Sequence, residues 1–310
     1  MVVKRKKRWL WIVAVVVMLL LALMWFLRPP KNEIPTATRG TLELYPQFES
    51  RYVPARDVVV WLPQGYQPGD SADVLYMHDG NMLFDATTTW NHQEWRVDEV
   101  TDRLIQLGRI RPCIVVGIYN TSDRLTEYFP VKTWQHVSEA DRKKVKLEKL
   151  TADNYLKFIV EELKPFIDEK YNPLTTREHT FMMGSSMGGL ISLYALCEYP
   201  QVFGGVACLS SHLSMAHLPA GVEGDPWATG FRDYVNVHLP AAGSSLVYMD
   251  LGTRDFDKDY GQYQTLLDSV FTAKGWDEAH YMSRVYQGHG HNETCWAQRL
   301  DQPLLFLMGK

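Results

Sequence analysis

The feature that most constrains this chain is a short stretch, residues 182–190, in which an apolar run ends in closely spaced glycines around a serine. Its centre, Gly184-Ser185-Ser186-Met187-Gly188, fits the pattern G-x-S-x-G. Such a turn from strand to helix is so tight that glycine is required on either side, and it exposes the serine oxygen at a helix N-terminus, where backbone N–H groups stabilise negative charge. We therefore predict Ser186 to be a nucleophile.

The segments that flank this turn strengthen the prediction, because the bare pattern also occurs by chance in loops of glycine and serine. Residues 179–183 are typical of a buried strand. Residues 188–198 are typical of a helix that packs through Leu190, Leu193 and Tyr194. The order of strand, turn and helix is the context that an exposed serine nucleophile requires.

The rest of the chain alternates short apolar β-rich runs with amphipathic helical runs, which predicts an α/β fold with a mostly parallel sheet and helices on both faces. Two stretches, 121–150 and 211–242, fit no strand and helix unit, and we expect them to cover the substrate side of the sheet. The predicted strands are 57–62, 74–77, 113–119, 180–183, 205–209, 246–250 and 281–286, and the predicted helices are 95–107, 151–171, 188–199, 260–274 and 293–308.

The N-terminus predicts a membrane anchor. Five basic residues at 4–8 precede an uninterrupted apolar run at 9–27, which is long enough to cross a bilayer and lacks a small-residue cleavage site. The basic residues favour a cytoplasmic N-terminus. We expect a single-pass transmembrane helix in the inner membrane, with the rest of the chain in the periplasm of a Gram-negative bacterium; a cleaved signal peptide is the alternative.

This division gives three parts: a basic segment and transmembrane signal anchor at 1–28, a linker at 29–46, and a catalytic domain at 47–310. The chain is 46% hydrophobic, enough for one large core. Its formal net charge of -4, with scattered basic residues, gives no reason to expect nucleic acid. The four cysteines permit one or two disulfides or buried free thiols, and without a C-x-x-C pair they do not suggest a thiolate zinc site or a redox site. They are Cys113, Cys197, Cys208 and Cys295.

A serine nucleophile needs a base and an acid, which follow it in the order Asp or Glu and then His when the serine lies on such a turn. His291 lies in a loop after the last predicted strand and is our candidate base, with His289 as the alternative. Asp255 and Asp257 both lie in the turn after the preceding strand, and spacing alone does not choose between them. Asp250 lies earlier, within the strand itself.

The tetrahedral intermediate needs two N–H donors. We expect one from the backbone of Met187, directly after the nucleophile, and the other from Asn81, where Gly80 allows the backbone to approach. All these candidates follow the carboxyl ends of predicted strands, where an open α/β sheet places its site. A metal is not expected, since the histidines lack the spacing of helical metal ligands.

The same segments resemble the putative esterase family of α/β hydrolases, which includes S-formylglutathione hydrolase (esterase D), enterochelin esterases, antigen 85, and feruloyl and acetylxylan esterases. The resemblance runs from about residue 40 to the end and implies an α/β-hydrolase fold with His291 as the family histidine. It slightly favours Asp257 over Asp255. Asn81 and Met82 stand where the family has glutamine and asparagine. The matching segments are 76–81, 95–99, 124–128, 184–189, 208–212, 250–253 and 290–296.

The resulting hypothesis is a serine carboxylic-ester hydrolase that forms an acyl-enzyme on a small-molecule or saccharide ester and needs no cofactor. Hydrolysis of a siderophore trilactone, acyl transfer to a sugar hydroxyl, and a non-catalytic binding protein of the same fold are the alternatives. Arg124 and Trp95 are candidate substrate contacts, although Arg124 with Glu127 can instead brace the covering segment and Trp95 can instead pack in the core. The sequence does not determine the oligomeric state.

Overall fold

An eight-stranded sheet runs through the residues that the computed structural model describes, which are 34–143, 149–214 and 225–310. Its strand order is β1-β2-β4-β3-β5-β6-β7-β8, with β1 and β2 antiparallel to their neighbours and the other strands parallel. The strands are β1 (Thr41–Phe48), β2 (Arg56–Leu62), β3 (Asp73–His78), β4 (Cys113–Ile118), β5 (Thr180–Ser185), β6 (Gly205–Leu209), β7 (Leu246–Gly252) and β8 (Tyr281–Tyr286).

The first strand corrects the predicted domain boundary. Residues 29–46 were expected to be a linker, but β1 begins at Thr41 and pairs with β2 along Thr41↔Leu62 to Tyr45↔Val58. The strand lies at the edge of the sheet and is only partly buried, so its sequence lacks the continuous apolar run that marks the inner strands. The catalytic domain therefore begins before residue 47.

Helices cover both faces of the sheet, as expected for a parallel α/β fold. They are α1 (Val97–Gln106), α2 (Arg124–Glu127), α3 (Glu139–Arg142), α4 (Ala152–Lys157), α5 (Lys164–Tyr171), α6 (Met187–Glu198), α7 (Pro226–His238), α8 (Gly261–Ala273), α9 (Glu293–Ala297) and α10 (Asp301–Met308). Successive residues of β2 point into two separate apolar cores: Val58 and Val60 pack with the helices of one face, and Val59 and Trp61 with those of the other.

Two predicted helices are interrupted. The segment predicted as one helix at 151–171 contains a π-helical stretch, Phe158–Leu163, between α4 and α5. Pro165 is the second residue of α5, and the wider turns before it relieve the clash that a proline ring makes with a preceding carbonyl. The segment predicted at 293–308 divides into α9 and α10.

The two segments that fit no strand and helix unit pack against each other. Trp134, in a 3₁₀ helix (Val131–His136), lies 4.8 Å from Trp227 of α7 between ring centroids, and Phe129 lies 5.5 Å from Trp227. Glu127, fully buried, forms a two-point ion pair with Arg56 of β2. The first segment is therefore fastened to the sheet by a buried charge pair, and Glu127 is not exposed to a substrate.

The predicted transmembrane segment lies among residues 1–33, outside the described residues. Across the part of the chain that is described, none of the helices combines the length and the apolar character that a membrane span needs.

Candidate active site

Ser186 occupies a strained turn between β5 and α6. Its backbone has φ 57° and ψ -122°, a conformation that residues with a side chain rarely adopt. The turn is tight enough that a Cβ on Gly184 would lie 2.7 Å from the carbonyl carbon of Gly188. Strain of this kind is kept where the surrounding structure fixes the backbone, and it is common at functional sites.

The end of β6 holds this turn in place. The N–H of Ser186 donates to the carbonyl of Leu209 (2.9 Å), and the N–H of His212 donates to the carbonyl of Ser186 (3.1 Å). Both backbone groups of the serine are thus bonded to the neighbouring strand and to the loop that continues it. The position of Ser186 is therefore a consequence of its bonds to the neighbouring strand as well as of the turn itself.

His291 is bonded to Asp257. The two side chains meet at 2.6 Å between Nδ1 and Oδ1, and Asp257 is fully buried. Because a neutral imidazole bonded to a carboxylate through Nδ1 carries its proton there, Nε2 is left as the acceptor. This is the tautomer in which an imidazole acts as a base toward a hydroxyl.

The alternative residues have other positions. The carboxylate of Asp255 lies against the backbone of Gly290, since a Cβ on that glycine would come within 1.9 Å of Oδ2 of Asp255. His289 directs Nδ1 to the carbonyl of Cys295 at 3.3 Å. Asp250 is paired with Arg299 at 2.9 Å. Among the predicted acids and bases, the structure brings together His291 and Asp257.

The second oxygen of Asp257 is also bonded. It accepts from the hydroxyl of Ser210 (2.5 Å) and from the N–H of Gly252 (2.6 Å). Burial acts to raise the pKa of Asp257, but the hydrogen bonds to His291 and Ser210 outweigh it and hold the pKa below its usual value. The carboxylate therefore stays ionised inside the protein.

Tyr260 connects the serine turn with the histidine. Its ring packs edge-on against His291, 5.6 Å between centroids, and its hydroxyl lies 2.5 Å from Nδ1 of His212. His212 in turn donates its backbone N–H to Ser186. The structure thus joins Ser186 and His291 through a short chain of direct contacts.

The predicted oxyanion donors lie at the starts of two helical segments. Met187 is the first residue of α6, and Asn81 lies in a 3₁₀ helix, Gly80–Met82, that follows β3. The first N–H groups of a helix have no partner within it, so they are available to a negatively charged oxygen. Gly80 is required at this point because a Cβ there would lie 2.5 Å from the carbonyl carbon of Gly117.

Arg124 supports the turn that carries Asn81. Its guanidinium donates to both oxygens of Asp79, at 2.6 and 2.8 Å, and Asn120 donates to the same carboxylate at 2.6 Å. Burial acts to raise the pKa of Asp79, but Arg124 outweighs it and holds the pKa below its usual value. Arg124 braces Asp79, and not Glu127 as the sequence had suggested.

Two tryptophans that lie close together in the sequence occupy different environments. Trp95 is 2% exposed and packs against Trp296 with 5.3 Å between centroids, so the prediction that it contacts substrate is wrong. Trp90, in contrast, is 81% exposed.

All four cysteines are free thiols, with Cys295 accepting a hydrogen bond from the N–H of Gly290 at 3.2 Å.

Two residues of the site were missed by the sequence analysis, Ser210 and Arg299. Arg299 donates to Ser210, from which it is separated by 89 residues in the chain. Only the resemblance of residues 208–212 to the esterase family gave a signal for Ser210, and no local pattern marks Arg299.

Comparison with known proteins identifies the family of the chain. Residues 54–307 match the family model described as "Putative esterase". "Uncharacterized protein YbbA" of Bacillus subtilis (strain 168) is 23% identical over 268 residues, covering 82% of this chain and 93% of the relative.

Solved structures share the fold at low identity. A ferulic acid esterase superposes with a TM-score of 0.61 at 20% identity, covering 87% of this chain and 98% of that one. The enterobactin esterase FES from Shigella flexneri, solved with 2,3-di-hydroxy-N-benzoyl-glycine, gives a TM-score of 0.64 at 19% identity, covering 88% of this chain and 60% of that one. The chain belongs to the putative esterase family of α/β hydrolases, and it is a carboxylic-ester hydrolase.

The ion pair of Arg124 and Asp79 yields a prediction about stability and pH. Because the pKa of Asp79 is lowered in the folded state, its ionisation adds stability above about pH 4 that is lost as the pH falls through the folded-state value. Arg124→Gln removes the cation from a buried carboxylate, which keeps its hydrogen bond from Asn120, and should reduce the free energy of unfolding by about 2 to 3 kcal/mol at pH 7. The deficit should shrink in acid, where Asp79 takes up a proton.

Urea unfolding of both proteins at pH 7 and pH 4 measures this difference. Arg96→Gln is the matched control, since Arg96 is 59% exposed in its ion pair with Glu99, and an exposed pair contributes roughly 0 to 1 kcal/mol. A deficit for Arg124→Gln that is equal at both pH values would contradict the assignment.

Proposed function

We propose that the protein hydrolyses esters through a Ser186, His291 and Asp257 triad and an acyl-enzyme. His291 takes the proton of Ser186, whose oxygen attacks the ester carbonyl. The N–H groups of Asn81 and Met187 bind the oxyanion of the tetrahedral intermediate. When this intermediate collapses, the bond to the alcohol breaks, His291 gives its proton to the departing alcohol, and the acyl group stays on Ser186. His291 then takes a proton from water, which attacks the acyl-enzyme and releases the acid and free Ser186.

The observation that carries this proposal is the hydrogen bond between His291 and Asp257 at 2.6 Å. A buried, ionised acid fixes the ring orientation and stabilises the imidazolium that forms when the serine loses its proton. The strained turn at Ser186 and its links to His291 through Tyr260 and His212 support the same roles.

We further propose that the substrate carries an aromatic group, as in an aromatic acyl ester of a saccharide. Phe256 is 64% exposed, and its ring meets His291 edge-on at 5.6 Å between centroids. An exposed aromatic side chain beside the base offers an apolar surface to a planar ring. The structural relatives named for ferulic acid and for enterobactin fit a substrate of this kind.

Hydrolysis of a siderophore trilactone is the second candidate. The likeness to the enterobactin esterase FES favours it, and an aromatic surface at Phe256 suits the benzoyl group of the compound named with that structure. A saccharide ester and a trilactone differ in the alcohol part, so a panel of both classes of ester distinguishes them by relative kcat/KM.

We also propose that the basic residues at 4–8 and the apolar run at 9–27 anchor the catalytic domain to the outer face of the inner membrane. A protease added to intact spheroplasts should then digest the domain, while a cytoplasmic marker protein survives. Protection of the domain until the membrane is lysed would contradict this location.

The triad is tested by substituting each proposed residue and, as a control, a neighbouring residue of the same type. Ser186→Ala and Asp257→Asn should each lower kcat on p-nitrophenyl acetate by roughly 10⁴-fold or more. The adjacent Ser185→Ala and the nearby Asp255→Asn serve as matched controls and should keep most of the activity. If Ser186→Ala retains near-normal turnover, or if Asp255→Asn is the more damaging carboxylate change, the assignment fails.

The role of Phe256 is tested by substrate preference. Phe256→Ala should raise KM for methyl ferulate by about 3- to 10-fold, as expected for the loss of one aromatic contact, and should leave KM for p-nitrophenyl acetate nearly unchanged. Leu107→Ala is the control, since Leu107 is also an exposed apolar residue (66%) but lies between the C-terminal end of α1 and the start of β4. Equal changes for both esters would contradict an aromatic subsite.

A further inference from the structure

Ser210 lies at the point where β6 ends and is fully buried. Its backbone has φ 44°, in the left-handed region that a residue with a side chain seldom occupies. Its N–H donates to the carbonyl of Asp250 at 2.7 Å. The backbone is thus held in a costly conformation, and the hydroxyl is directed into the interior beside the triad acid.

Three side chains surround the hydroxyl of Ser210. Nε1 of Trp296 lies at 3.0 Å, Nη2 of Arg299 at 2.8 Å, and Oδ2 of Asp257 at 2.5 Å. An indole N–H and a guanidinium are donors only, and an ionised carboxylate is an acceptor only. The hydroxyl therefore accepts from Trp296 and Arg299, and its single hydrogen is left for Asp257.

Arg299 is itself fixed by a second carboxylate. It donates to both oxygens of Asp250, at 3.1 and 2.9 Å, and both side chains are about 1% exposed or less. Its Nη2 also lies 3.9 Å from Oδ2 of Asp257. A guanidinium held in a fork of this kind has little freedom to turn away from Ser210.

We propose that Ser210 is a positioning residue for the triad acid, a dedicated hydrogen-bond donor whose direction Trp296 and Arg299 set. This inference rests on the proposed function, since it assigns Ser210 a role through Asp257 and His291. With Ser210 and the N–H of Gly252 bonded to Oδ2, the carboxylate is held so that Oδ1 faces Nδ1 of His291.

The arrangement also sets how strongly Asp257 holds the proton of His291. A carboxylate that receives other hydrogen bonds attracts an imidazolium less strongly, so Ser210 moderates the attraction between Asp257 and His291. Other charged or titratable groups near Asp257 and His291 lie on the turn after β7, at the end of β7, and in the segments after β6, after β8 and before α10. They include Arg254, Asp255, Asp259, Tyr260, Asp250, His212, His289, Cys295 and Arg299.

The test is the pH dependence of kcat/KM for Ser210→Ala in the full-length protein. The acid limb should move to higher pH by about one unit, since a hydrogen bond to a charged group has been removed, and kcat should fall by roughly 10- to 100-fold with KM nearly unchanged. A role in stability alone would lower the melting temperature without moving the acid limb.

Ser211→Ala is the matched control. Ser211 is adjacent and buried, and its hydroxyl has no hydrogen-bond partner among the described residues, so its removal should leave the acid limb in place. Trp296→Phe keeps an aromatic ring beside His291 but removes one donor to Ser210, and it should move the limb in the same direction by less. This second variant decides the question if Ser210→Ala does not fold.

The NMR resonance of the Nδ1 proton of His291 separates this inference from the proposed function. If the wild-type protein shows no hydrolysis that depends on Ser186, the proposed function fails, but the pH at which this resonance titrates still reports the influence of Ser210. An unchanged titration and an unchanged acid limb in Ser210→Ala, or in Trp296→Phe where the first variant does not fold, would overturn the inference.

Discussion

Parallel strand pairing is the constraint on which the rest of the structure depends. In β3, β5, β6, β7 and β8 the strands run in one direction, so their carboxyl ends meet at one edge of the sheet. Asn81, Ser186, Ser210, Asp257 and His291 each follow one of these ends. Residues as far apart in the sequence as Asn81 and His291 are therefore brought together by the strand pairing alone. This is why open α/β sheets place their sites there.

The site is then organised by the way buried charges are satisfied. Asp257, Asp250 and Asp79 are all at least nine-tenths buried, and each is bonded to a cation, a hydroxyl or a backbone N–H. An ionised carboxylate without such partners costs several kcal/mol in the interior. The same hydrogen bonds that make burial tolerable also fix the direction of each carboxylate, so stability and the orientation of His291 have a common origin.

The parts of the fold that are decided locally could be predicted from the sequence. Inner strands such as β4 and β6 are continuous apolar runs because both of their faces are covered. The glycines at 184 and 188 indicate a tight turn, in which a Cβ at 184 would lie 2.7 Å from the carbonyl carbon of Gly188. The edge strand β1 was not predicted, because it is only partly buried and its sequence is not a continuous run of apolar residues.

The finer geometry of the site depends on contacts that no local pattern encodes. Asp255 and Asp257 are equivalent by spacing, but Asp255 has φ 54° and lies against Gly290, while Asp257 bonds to His291. Ser210 and Arg299 are brought into contact by the packing of α9 and α10 against the sheet. Likewise, tryptophan is a residue type that often contacts ligands, but Trp95 is buried in the core.

The central claim is that the residues at the carboxyl ends of the parallel strands activate one serine. Covalent labelling tests this claim most directly. A fluorophosphonate probe should modify Ser186 in the wild-type protein, as located by mass spectrometry of the labelled peptide, because only a hydroxyl with a positioned base reacts readily. His291→Ala should lose the label while keeping its fold by circular dichroism. Equal labelling in His291→Ala, or modification at a serine other than Ser186, would contradict the account.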